Sequence, residues 1–172
     1  MQLFSTAPSF DDPNGLLMAC HNRILGHCDT LARLPGYLSA HGSDDEARQA
    51  IRRILRYFHT AARLHHADEE ENLFPFLLAH FDFPIHLRAS LRDLALQHRE
   101  LETTWEDLAK DLEDVSMDHR RTLSPERFIS MHRAHIALEN DEIFPIAARL
   151  LSVGMLDEIG SAMRTRRTGA KP

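Results

Sequence analysis

Two segments of the chain place histidine and carboxylate side chains at helical spacing. Residues 65–75 read HHADEEENLFP and residues 135–145 read HIALENDEIFP, so each begins with a His that is followed four residues later by a Glu. On an α-helix, residues four apart project from the same face and lie about 6 Å apart along the axis. A His and a Glu so arranged can bind one metal ion, while the second carboxylate oxygen stays free for another. The pattern therefore predicts metal binding.

The two segments belong to an internal repeat. An offset of 70 residues superimposes the two His-x-x-x-Glu pairs and the prolines that follow them, Pro75 and Pro145. An offset of 77 residues pairs His21 with His98. The chain therefore reads as two copies of a helix pair, each with one His on its first helix and a His-x-x-x-Glu on its second. A helical bundle built from two such copies brings these side chains to its centre, as a two-metal site requires.

Other histidines near these segments are also candidate ligands. His66 and Glu70 form a second His-x-x-x-Glu pair, one residue out of phase with the first. The repeat disfavours them as ligands, because the matching residues are Ile136 and Asn140, and we interpret the pair as flanking the site. His132 lies one turn before the His of the second segment. The sequence leaves open whether it is an extra ligand, a proton donor or a core residue.

The elements that would position these residues are predicted to be helices. Apolar residues recur at spacings of three, four and seven, and no segment keeps the two-residue alternation of a β-strand. The helix starts are marked by prolines and capping residues: Pro13, a capping box at Ser43 and Glu46, Pro84, Ser124-Pro125-Glu126, and about Val153. We expect the two repeat prolines to kink or end their helices just past the site. The simplest fold is all-α: an antiparallel up-down-up-down four-helix bundle with a short C-terminal fifth helix.

Composition sets the broad class of the protein. At 172 residues, with 43% hydrophobic and 27% charged residues, the chain suits one soluble domain with a real core. We assign residues 12–151 to the bundle and residues 152–172 to the short helix and a basic tail that is expected to fray. Cys20 and Cys28 lie too far apart on one helix for a disulfide, so buried thiols are expected.

Charge and hydropathy exclude other classes of partner. The net charge of −6 argues against nucleic-acid binding. No apolar run approaches the ~20 residues that a membrane-spanning helix needs. The N-terminus carries neither the basic nor the apolar part of a signal peptide, so a cytoplasmic location is expected.

The two repeat segments, together with one His on each of the first and third helices, resemble the hemerythrin-like (HHE cation-binding) domain, in its bacterial single-domain type. The resemblance covers nearly the whole chain, from about Asp12 to Leu151. It implies a non-haem di-iron site in which two carboxylates and an oxo or hydroxo group bridge the iron atoms. It also implies reaction with dioxygen.

The same resemblance implies a ligand set. Carried over motif by motif, it comprises seven residues: His21, His65, Glu69, His98, Glu102, His135 and Glu139. Glu69 and Glu139 would be the bridging carboxylates. Oxygen-carrying hemerythrins have a second His where this chain has Glu102, and a carboxylate where this chain has Asn140. The added negative charge of Glu102 would favour ferric iron, which weakens the case for reversible oxygen carriage.

The resemblance favours a di-iron protein that binds or reacts with dioxygen, peroxide or nitric oxide, as an oxygen or iron sensor, store or scavenger. Donor types alone also admit manganese or zinc. A binding protein fits the pattern more directly than an enzyme, although a peroxide- or oxygen-consuming activity stays open. The alternative is a non-catalytic iron-sensing or structural module that the metal stabilises. A homodimer formed through the fifth helix also stays open.

Overall fold

The computed structural model describes residues 9–119 and 121–169, and within these ranges the chain is helical with no β-strand. Two single π-helical turns, π1 (Glu69–Leu73) and π2 (Glu139–Ile143), interrupt the α-helices. The α-helices are α1 (Pro13–His41), α2 (Asp45–His59), α3 (Ala61–Asp68), α4 (Phe74–Ala79), α5 (Leu87–Ser116), α6 (Glu126–Leu138), α7 (Phe144–Leu150) and α8 (Val153–Thr168). The prediction of an all-helical chain is confirmed. Among the described residues, no helix combines the length and apolar character needed to cross a bilayer.

The long helices pack around a shared interior. α1 contacts α2 and α6, and α5 contacts the same two helices. Their buried side chains form two apolar clusters, one centred on Phe58, Trp105 and Phe128 and the other on Leu73, Leu94 and Phe144. Both cysteines are buried free thiols, as expected. Six of the seven candidate ligands, all except Glu102, are buried between the two clusters, so they form a polar layer inside an apolar core.

Three of the expected helix starts differ in detail. α5 begins at Leu87, three residues after the expected start at Pro84, because residues 85–86 form a turn. α2 begins at Asp45, and the carboxylate of Asp44 accepts the backbone N–H of Ala47 at 2.9 Å in place of the expected Ser43–Glu46 capping box. Asp is as good a cap as Ser, and here it stands at the residue where the helical backbone begins. α6 begins at Glu126 without a side-chain cap, so Ser124 does not serve as one.

Pro75 and Pro145 do not end their helices. Each follows a π-helical turn in which a phenylalanine N–H donates five residues back, Phe74 to Glu69 and Phe144 to Glu139. A proline ring normally clashes with the carbonyl four residues before it, and the wider π turn relieves this clash. The helices then continue to Ala79 and Leu150. The irregularity therefore falls on the carboxylates themselves, which is common for π turns at functional sites.

The basic tail is more ordered than expected. α8 extends to Thr168, whereas fraying was expected from residue 164, and Arg166 and Arg167 both bind the fully buried carboxylate of Asp68. Arg166 also contacts Glu71 at 2.6 Å. Asp68 directly precedes π1, so the end of α8 fixes the turn that carries Glu69. Residues 170–172 lie outside the described residues.

Replacing both Arg166 and Arg167 by Ala is expected to lower the free energy of unfolding of the metal-free protein by about 3 kcal/mol, because the buried Asp68 carboxylate would lose both its cations. Denaturant unfolding followed by circular dichroism measures this loss. The matched control is the double variant of the exposed Arg52 and Arg53, which loses the same charge and should change stability by less than about 1 kcal/mol. Equal losses in the two double variants would contradict the role given to α8.

Candidate metal centre

The structure brings six of the seven candidate ligands together in two overlapping groups. One group contains His21 and His65, the other contains His98 and His135, and both contain Glu69 and Glu139. Within each group, one ligand atom of every residue lies within 4.8 Å of all the others. All six side chains are buried, each with at most 2% exposure. Two four-residue groups that share two carboxylates are the arrangement expected for a pair of bridged metal ions.

The first group is centred on the Nε2 atom of His21. This atom lies 3.1 Å from a carboxylate oxygen of Glu139 and 3.6 Å from one of Glu69. His65 Nε2 lies 3.4 Å from the same Glu69 oxygen. α1 supplies His21, α3 supplies His65, and the two π turns supply the carboxylates. The His-x-x-x-Glu spacing thus joins an α-helical His to a π-helical Glu.

The second group uses the other oxygen of Glu69. His98 Nε2, from α5, lies 3.4 Å from Glu69 Oε2, and His135 Nε2, from α6, lies 3.2 Å from Glu139 Oε2. The Nε2 atoms of His98 and His135 are 3.0 Å apart. Because the two oxygens of Glu69 face different groups, this carboxylate is placed to bridge.

Three of the four histidines are held by hydrogen bonds at Nδ1. His21 Nδ1 lies 2.8 Å from Asn140 Oδ1, and His98 Nδ1 lies 2.8 Å from a carboxylate oxygen of Glu70. His135 Nδ1 lies 2.9 Å from Gln97 Oε1. These oxygens accept hydrogen bonds, so each Nδ1 carries a proton, and Nε2 of each ring presents its lone pair whenever the ring is neutral. Partners of this kind orient metal-ligating histidines and raise their basicity.

These partners follow the repeat only in part. Glu70 and Asn140 occupy matching positions of the repeat, and each accepts a hydrogen bond from Nδ1 of a candidate ligand. Glu70, from the second His-x-x-x-Glu pair, and Asn140, at the position where oxygen carriers have a carboxylate, therefore both orient histidines. Gln97 matches Cys20, and His65 Nδ1 has no hydrogen-bond partner in the described part of the chain. No spacing rule marked Gln97, because its role depends on packing between α5 and α6.

In the metal-free chain, the buried charges of the site shift the pKa values of its histidine and glutamate side chains. Burial opposes the charged form of His21, but the carboxylates of Glu139 and Glu69 outweigh it and raise the pKa of His21 to about 10. Burial and the charge of Glu139 raise the pKa of Glu69 to about 8. Burial also opposes ionisation of Glu139, yet His135 and His21 lower the pKa of Glu139 to about 2. In the metal-free chain, protons therefore neutralise part of the charge of the carboxylates.

The donor atoms themselves fit a pair of cations. Within the described residues, both oxygens of Glu69 and of Glu139 are buried without a hydrogen-bond partner, as are both ring nitrogens of His65. Burying such groups unpaired is costly. The His98 and His135 lone pairs would also repel each other at 3.0 Å unless a cation lies beside them. Metal ions bound at Nε2 and carboxylate oxygens would satisfy all of these atoms except Nδ1 of His65.

Glu102, the seventh candidate, is not brought into either group. It is exposed on α5, where His98, Leu101 and Trp105 form the buried face. A residue four positions after His98 is rotated about 40° around the helix, and here that rotation directs Glu102 to solvent. His66 and His132, by contrast, are both buried next to the site. The ring of His66 stacks on that of His98, with centroids 4.0 Å apart.

The comparisons agree with this geometry. Residues 12–147 match the family model for the hemerythrin HHE cation-binding domain. The chain is also 35% identical over 169 residues to a Haemophilus influenzae protein that is named only as an uncharacterized protein, and the match covers 96% of this chain and 94% of the relative. The two histidine and glutamate groups lie within the matched range. The chain therefore belongs to the hemerythrin HHE cation-binding domain family.

Proposed function

We propose that this chain is a non-haem di-iron protein that binds or reacts with dioxygen, peroxide or nitric oxide, and that it acts in sensing, storing or scavenging oxygen or iron. The observation that carries the proposal is the sharing of Glu69 and Glu139 between two buried histidine groups. A mononuclear site would not need two carboxylates in common with a second set of ligands. Two metal ions about 3.5–4 Å apart can act together on one small ligand.

Each residue has a role in this proposal. His21 and His65 would hold one iron ion, His98 and His135 would hold the other, and Glu69 and Glu139 would be shared by both. Glu102 is left out of this set because its side chain is exposed.

Iron is proposed because of the family. Mixed imidazole and carboxylate ligation also suits manganese and zinc, so the donors alone do not select the metal. A bound pair of ferrous ions would supply the redox chemistry needed for reaction with dioxygen. The contribution of the chain is to hold the donors rigid through the Nδ1 hydrogen bonds and to exclude water with the two apolar clusters.

We also propose that the helices form an antiparallel up-down-up-down bundle within residues 12–151. The order in which each helix meets the two apolar clusters supports this arrangement. α1 passes from Leu17 in one cluster to Ile24 in the other, whereas α3 and π1 pass from Ala62 back to Leu73. The same alternation recurs in the second half of the chain: α5 runs from the cluster of Leu94 to that of Trp105, and α6 with π2 runs back from Phe128 to Ile143. Residues 152–172 would add a C-terminal helix and basic tail that brace π1.

Replacing single ligands should change the iron content in a way that reveals the sharing. Glu139→Ala removes a donor from both groups and is expected to abolish the binding of two iron ions. His65→Ala removes a donor from one group only and is expected to leave a single iron bound beside His98 and His135. Iron and protein concentrations measured after reconstitution and desalting give the stoichiometry.

The controls for this experiment are His59→Ala and Glu102→Ala. Both side chains are exposed, and both variants should retain two iron ions per chain. If His65→Ala or Glu139→Ala also retained two, the assigned ligand set would be wrong. If Glu102→Ala lost one, the ligand set would have to include Glu102.

Oxygen reactivity is tested on the iron-loaded protein after anaerobic reduction. Admitting air is expected to produce a new charge-transfer absorption in the near-ultraviolet and visible range. Reversal of this absorption under vacuum would indicate carriage, and its persistence would indicate oxidation. An unchanged spectrum with two iron ions still bound would contradict oxygen reactivity and would favour a structural or iron-sensing module.

A further inference from the structure

A small cavity lies on the His98 side of the candidate metal centre. Its volume is about 20 Å³. Two polar side chains, His66 and His132, line it, and the exposed Arg63 and Glu102 lie on its solvent side. The remaining wall comes from α2, α3, α5 and α6: Phe58, Ala62, Leu101, Trp105 and Phe128. It is apolar except for Nε1 of Trp105, a donor that is buried without a hydrogen-bond partner among the described residues. The cavity thus combines a largely apolar wall with two buried imidazoles next to the metal ligands.

His132 offers this cavity a hydrogen-bond acceptor. Its Nδ1 lies 3.3 Å from the carbonyl oxygen of Phe128, which can only accept, so Nδ1 carries the proton and donates. Burial lowers the pKa of His132 to about 3, which keeps the ring neutral and leaves a lone pair on Nε2. Nε2 is buried and has no hydrogen-bond partner within residues 9–119 and 121–169. A group that donates a hydrogen bond is what this atom lacks.

His66 supplies a second polar contact. Its ring is 92% buried and lies parallel to that of His98, with an interplanar angle of 11°. Its Nδ1 is also buried without a partner among the described residues. A neutral imidazole can donate from one nitrogen and accept at the other. A ligand that both donates and accepts hydrogen bonds would therefore satisfy His66 and His132 together.

The repeat shows that these features are specific to one half of the molecule. The residue that matches His66 is Ile136, and the one that matches His132 is Ala62. Both belong to the continuous apolar cluster around Phe58 and Phe128. The polar lining therefore faces the His98 group and has no counterpart facing the His21 group.

Size and hydrogen bonding together restrict the occupant. A cavity needs about 10–15 Å³ to hold one water molecule, so 20 Å³ admits a molecule of about two heavy atoms. Dioxygen has no hydrogen to donate to His132, whereas a hydroxylic molecule of this size does. We propose that the cavity binds hydrogen peroxide, with His132 Nε2 accepting one O–H and His66 providing the second polar contact. The proposal rests on the proposed function, since it names the substrate that reaches that metal centre.

The test uses zinc-loaded protein with ¹⁵N-labelled histidine, because zinc does not consume peroxide by redox chemistry. Titration with hydrogen peroxide is expected to move the Nε2 resonance of His132 in a saturable way. Ala62→Leu fills the cavity and should weaken this binding at least tenfold. Ala50→Leu makes the same change at a half-buried residue that lines a different cavity, between α1 and α2, and should leave the titration unchanged.

Three results would overturn the proposal. The first is a His132 resonance that does not move or does not saturate, as expected for a cavity that holds only water. The second is an unchanged titration in Ala62→Leu. The third is an equal response to tert-butyl hydroperoxide, which is too large for the cavity. Zinc content and thermal midpoint are measured for every variant, and Ala62→Val replaces the Leu variant if that does not fold. The titration is repeated on metal-free protein. If the metal-free protein binds peroxide but the chain fails to take up two zinc ions, the proposed di-metal function is refuted and the proposed peroxide site stands.

Discussion

The structure depends on two carboxylates that are buried where carboxylates are normally excluded. Glu69 and Glu139 are fully buried, and none of their four oxygens has a hydrogen-bond partner among the described residues. An isolated buried carboxylate costs far more than a domain of this size can offset, so such groups are either protonated, paired or bound to metal. The raised pKa values of Glu69 and His21 show that protons fill part of that role in the metal-free chain. Two metal ions would fill it completely.

Other features of the fold can be understood as supports for this pair. The π turns place each carboxylate between two histidines, and the prolines that follow are accommodated by the wider turn. Asn140, Glu70 and Gln97 orient three of the histidines from outside. Arg166 and Arg167 neutralise Asp68, the neighbour of Glu69, from a helix that lies beyond the residues matched by the family model. The chain thus secures the first carboxylate segment with its own C-terminal end.

Much of this site could be predicted from local spacing, and the remainder depends on tertiary packing. The repeat marked His21, His65, His98 and His135 as residues that lie together, because side chains that recur at equivalent positions of two helix pairs share one layer of the bundle. It could not place Glu102, whose exposure depends on which neighbours of His98 face the core. Nor could it reveal Gln97 or the pairing of Asp68 with α8, since these contacts join residues that lie tens of residues apart. The π turns were also missed, because the sequence marks them only through the prolines, which usually indicate a break.

X-ray absorption at the iron edge of the reconstituted protein tests most directly whether Glu69 and Glu139 bridge two metal ions. We expect a first shell of nitrogen and oxygen donors together with a second iron as a scatterer within about 4 Å. Two bound iron ions without an iron scatterer at that distance would contradict this expectation, because the shared carboxylates would then not be bridging.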